Sequence, residues 1–184
     1  KNNRKLHMKT ITILFIQLFM VLFASAQTRY YDKTKTFYEN GYTYQSDQLG
    51  MVTLYNKENK FTYVDQIDRY TGKYISIEEN MSDQLEKDSW TKPKCISIVN
   101  SCFSDTEKNR VRETFIFITM YINPDNGSVA EVEFSFPCTN PFATIPVSVY
   151  RKIELGLKKE IRFVPTEEGK RRNYILVYWK HHVK

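Results

Sequence analysis

Aromatic and β-branched residues alternate with polar ones through residues 28–77, with turn signals between the runs. This pattern predicts an antiparallel β-meander. Phe37-Tyr38-Glu39 and Tyr42-Thr43-Tyr44 flank Asn40-Gly41, the pair that supplies both positive-φ positions of a type I′ hairpin. A second hairpin is expected to join residues 51–55 to residues 60–64 through Asn56-Lys57-Glu58-Asn59, and Thr71-Gly72 ends a further strand. Residues 78–90 are polar and mixed in charge, as in a connector or a short surface helix.

The period then changes. Pro93 suits a first helical turn, and Cys95, Ile98, Val99, Cys102 and Phe103 fall on one helical face. Residues 115–122 are almost continuously apolar and rich in β-branched and aromatic types, which reads as a central strand. The Asn123-Pro124-Asp125-Asn126-Gly127 stretch turns the chain. Val132, Phe134 and Phe136 then alternate with Glu131, Glu133 and Ser135, so both glutamates are expected on a solvent face. Thr144 is placed to cap a second helix with Pro146 in its first turn, where Val149, Ile153 and Leu157 recur every four residues and Lys158 and Lys159 suit the negative end. Residues 173–179 close the chain as a last strand, giving the order α-β-β-α-β. The expected class is α+β. Its parts are a meander over 27–80, a connector over 81–92 and an α+β unit over 93–184.

The first residues carry a different signal. Lys1, Arg4, Lys5 and Lys9 precede the apolar run 11–23, and Ala24-Ser25-Ala26 follows with small-x-small spacing. Together they read as a secretory signal peptide cleaved near Ala26; a spanning helix needs about 20 apolar residues, more than this run supplies. Export to the periplasm or beyond, with no retained transmembrane segment, is therefore expected. Removing 1–26 takes four of the 27 basic residues and none of the 21 acidic ones, so 158 residues remain with a formal charge of +2. Such a balance gives no general field for nucleic acid.

The chemistry-bearing residues are few. Cys95 and Cys102 lie seven positions apart on one predicted helix, about 10 Å along its axis, too far to bridge each other. Cys138 can pair with either one, or all three can be small buried residues. His181 and His182 are the only histidines after the leader, and both read as a polar tail. No phosphate loop, metal-spaced Cys/His set or nucleophile elbow is present, so no catalytic residue, cofactor or metal site is assigned. Asp65 with Asp68, or Glu131 with Glu133, are the carboxylate pairs that acid–base work on a sugar would need.

From residue 119 onward the chain resembles the C-terminal domain of TonB, an envelope protein. The resemblance rests on a strand, the Asn-Pro-Asp-x-Gly turn, an alternating strand, a Pro-opened helix, the Phe163-x-Pro165 exit, the Gly169 turn and a final strand. It implies a three-stranded antiparallel sheet with two helices on one face, and a last strand whose free edge accepts an extended peptide from an envelope or outer-membrane protein. Here that strand is Asn173, Tyr174, Ile175, Leu176, Val177, Tyr178 and Trp179. An unpaired edge offers N–H and C=O groups that an added strand satisfies. The expectation is a non-enzymatic protein-binding module; the alternative is a glycan or small-ligand binder using the tyrosines of the N-terminal hairpins.

Overall fold

The Asn40-Gly41 pair turns the chain at φ +46° and +80°. Across it β1 (Lys35–Glu39) and β2 (Tyr42–Leu49) pair antiparallel. A tight turn at Gly50 then returns the chain into β3 (Met51–Asn56), which pairs with β2 from Leu49↔Met51 to Tyr44↔Asn56. The computed structural model describes residues 28–75 and 83–184. The leader predicted over 1–26 lies outside the described residues.

The expected hairpin between 51–55 and 60–64 does not form. β3 instead pairs on its second side with β5 (Val129–Pro137), from Met51↔Pro137 to Tyr55↔Glu133. Burial explains the preference, because this register sets Val52 beside Phe136 and Leu54 beside Phe134, all four fully buried. β4 (Ile116–Ile122) is the expected central strand, joined to β5 through the 123–127 turn. β6 (Ile175–His181) pairs with β4. The result is one antiparallel sheet of six strands in the order β1-β2-β3-β5-β4-β6, so the three-stranded unit expected of the C-terminal half continues into the meander.

Among the described residues three α-helices accompany the sheet. α1 (Thr91–Ser101) carries Pro93 in its first turn and buries Cys95, Ile98 and Val99 as the spacing predicts. α2 (Asp105–Val111) was not expected; Ser104 and Glu107 close a reciprocal capping box at its start. α3 (Val147–Glu160) buries Val149, Ile153 and Leu157. Its cap differs from expectation. Pro146 holds the N-cap position without a side-chain bond, while Thr144 ends a 3₁₀ turn (Pro141–Thr144) and donates its hydroxyl to the Pro141 carbonyl. α3 packs on β5 and on α1. Its Glu154 is wholly buried, accepting hydrogen bonds from Tyr44 Oη, from Arg151 Nη1 at 2.8 Å and from Lys158 Nζ at 3.1 Å. Burial raises its pKa even so.

The opposite face is partly covered by residues 57–75, and this overturns the solvent-face reading of the two glutamates. Glu131 is buried, accepting the backbone N–H of Lys60 at 2.7 Å and of Phe61 at 2.9 Å. Glu133 accepts the Tyr121 hydroxyl at 3.0 Å, and burial raises its pKa. Phe61 then packs on Tyr121 and Tyr174. Residues 60–64, expected as a strand, thus become part of a cover by being pinned to buried acceptors.

Candidate functional site at the β6 edge

β6 is the last strand of the sheet, and among the described residues no strand pairs with its outer side. Its side chains alternate. Leu176, Tyr178 and Lys180 are exposed, Tyr178 by 68%, whereas Val177 and Trp179 are half-buried and pack against the core. Five of the seven predicted edge residues belong to the strand. Asn173 and Tyr174 do not: the Asn173 N–H donates to the Ile67 carbonyl, Asn173 Oδ1 accepts the Ile67 N–H, and the Tyr174 hydroxyl donates to the Val64 carbonyl at 2.6 Å. The 57–75 cover therefore flanks the approach to β6 and stops short of its exposed stretch.

A groove of about 320 Å³ runs beside this edge. Met120, Cys95, Val177 and Trp179 line it from the core side, and Leu85 and Phe163 from across. The far wall is residues 83–88, part of the stretch expected to be a connector or a short surface helix. It is fixed by backbone bonds: the Glu86 N–H donates to the Val164 carbonyl at 2.8 Å, and the Thr166 N–H to the Gln84 carbonyl at 3.1 Å. Gly169 permits this approach, since a Cβ there would sit 2.1 Å from the Gln84 oxygen. At the groove's other end Asp88 accepts the Trp90 and Thr91 N–H groups and the Thr91 hydroxyl just before α1 begins, and has its pKa lowered by those bonds, the Thr91 hydroxyl first.

Trp179 is held from behind by a residue the sequence assigned to a loose tail. His181 is only 3% exposed. Its Nδ1 accepts the Trp179 indole N–H at 3.4 Å, which leaves Nε2 to donate to Asn100 Oδ1 of α1 at 3.0 Å. Burial, then His182 and Lys184, push the imidazole pKa down to about 4. Val183 is buried as well, so the chain end is docked. The buried His181 could not have been told from a frayed one by composition; the apolar Val183 beyond it was the available signal.

The other candidate residues are scattered. The three cysteines are free thiols, with Cys95 raised by burial to about 11, the wrong direction for a nucleophile. Among the described residues no group of three His, Cys, Asp or Glu side chains is placed to hold a metal. Asp68 is bound by Arg171 rather than by Asp65, and its pKa is lowered to about 2 by that guanidinium. The hairpin tyrosines divide: Tyr31 and Tyr44 are core residues, whereas Tyr38, Tyr70 and Tyr74 are exposed. Among the described residues no helix is long and apolar enough to cross a membrane.

Residues 27–179 match the model of a domain of unknown function, DUF5043. The chain belongs to the DUF5043 family. Its fold is similar to the crystal structure of a DUF5043 family protein from Bacteroides uniformis ATCC 8492, at 41% sequence identity and a TM-score of 0.80 over 85% of this chain and 89% of that one. No curated protein matches. The DUF5043 match begins within the meander half and ends inside β6, in keeping with one sheet built from both halves.

Proposed function

We propose that this DUF5043 protein is an exported, non-enzymatic cell-envelope module that captures an extended segment of a partner protein along the outer edge of β6. One observation carries the reading: among the described residues no strand pairs with the outer edge of β6, which runs beside an apolar groove, so an added strand would gain both backbone hydrogen bonds and side-chain burial. Leu176, Val177, Tyr178 and Trp179 lie along that edge, followed by Lys180. The resemblance of the C-terminal elements to the TonB domain, whose last strand takes up a peptide, agrees with it. The leader-like 1–26 supplies the export expectation.

The test is a photo-crosslinking amino acid at Tyr178 in native cells, with a second at Tyr38 as a control. Crosslinks at Tyr178 to one extended partner segment are expected, and their loss on Leu176→Pro or Val177→Pro. Successive residues of a strand point their N–H groups to opposite sides, so one of these two prolines removes only an outward donor and leaves the β4 pairing intact. Crosslinks that form at Tyr38 alone, or that persist in the folded proline variant, contradict strand capture.

A further inference from the structure

Val177 and Trp179, which line the groove together with Tyr178 between them, lie on the face of the strand opposite Lys180, and this juxtaposition fixes what a bound segment has to carry. Along any strand added to β6, alternate side chains fall on alternate faces. Those facing Val177 and Trp179 enter the groove over Met120 and Cys95, between the β6 edge and the wall of Leu85 and Phe163. The ionisable residues lining the groove carry two charges of each sign, Glu86 and Asp88 against Lys87 and Lys92. Lys87 also pairs with Asp83 at 3.2 Å, and Asp88 accepts N–H groups at the start of α1. On the other face Lys180 is exposed, with its ammonium 3.9 Å from the Phe115 ring centroid and no carboxylate partner among the described residues. A carboxylate set beside it joins an ammonium already held by an aromatic face.

Resting on the strand-capture reading, we propose that the groove is an anchor pocket selecting a segment with one large apolar residue and, one or three positions from it, an acidic residue facing Lys180. The spacing follows from the alternation: the positions opposite Val177 and Trp179 are three and one residues from the position opposite Lys180. The apolar residue supplies most of the affinity and the acidic one fixes register. Val177 sets the anchor's size, because it stands at the junction of strand and groove.

The probe is a library of fully randomised linear peptides displayed on phage, selected against the whole chain from residue 27. Selected peptides are expected to share an aliphatic or aromatic residue with Asp or Glu at the stated spacing. Replacing that apolar residue by Ser should weaken binding roughly tenfold or more. Selection against Val177→Ala should shift the anchor to larger side chains, and against Lys180→Glu should replace the acid by Lys or Arg; thermal melts check that both variants fold. Binders that ignore both substitutions yet lose affinity on backbone N-methylation overturn the anchor proposal and leave strand capture standing. Binders indifferent to N-methylation, or no binder at all, overturn both.

Discussion

Glu131 and Glu154 are carboxylates taken out of water by different means. Glu131 holds two backbone N–H groups of the 57–75 cover, and Glu131→Ala leaves both donors without an acceptor; a loss of about 3 kcal/mol is expected in urea unfolding, with Glu131→Gln losing about half of that. An effect near zero would mean that the cover is not pinned there. Strand alternation put this residue in water, and it failed for a physical reason: alternation tells which residues share a face, whereas whether that face is wet depends on chain 70 residues away. His181 gives a pH prediction. Its pKa falls from about 6.5 to about 4 on folding, so between those values the unfolded chain binds a proton that the folded chain refuses. Stability contributed by the neutral imidazole is therefore present above pH 6.5 and lost as the pH drops toward 4. The urea midpoint of the wild type should fall relative to that of His181→Phe across this window, whereas a pH-independent difference contradicts the buried neutral ring.

At the scale of elements, the turns and helical faces were the legible part. Asn40-Gly41, the Cys95-Ile98-Val99 face and the Val149-Ile153-Leu157 face all depend on local chemistry, and each formed. The 60–64 strand failed because β5 offered β3 a more apolar partner, a competition that no local window contains. α2 was readable in principle from Ser104 and Glu107, but seven residues give too short a period to see. The 123–127 turn carries a sharper prediction. Gly127 adopts φ +69°, and a Cβ there would lie 1.8 Å from the Phe163 carbonyl oxygen, whose own residue donates its N–H to the Gly127 carbonyl. Gly127→Ala should cost about 3 kcal/mol or more by thermal unfolding, and because Phe163 lines the groove it should also weaken peptide binding. A stable Gly127→Ala protein with unaltered binding would contradict that coupling.

The whole molecule is held by the β3–β5 pairing, which makes one sheet and one core of both halves. Unfolding should therefore be a single transition, the same by far-UV circular dichroism and by the fluorescence of Trp90 and Trp179. A chain begun after residue 57 should not fold, since Phe134 and Phe136 lose Val52 and Leu54; two separated transitions, or a folded truncation, would contradict this. The edge position of β6 was expected only as the implication of a resemblance; the sheet order places the strand last of six. The groove was not expected, because its wall comes from the polar stretch 83–88, which acquires its place through distant partners, Val164, Thr166 and Gly169 on one side and Gln66 on the other. Amide hydrogen exchange across Ile175–His181, with and without a selected peptide, tests strand capture most directly. Alternate amides of β6 should exchange quickly in the free protein and slow at least tenfold when the peptide binds, as the unpaired edge acquires acceptors. Protection that appears around Tyr38, Tyr70 or Tyr74 while β6 stays unchanged would contradict capture at this edge.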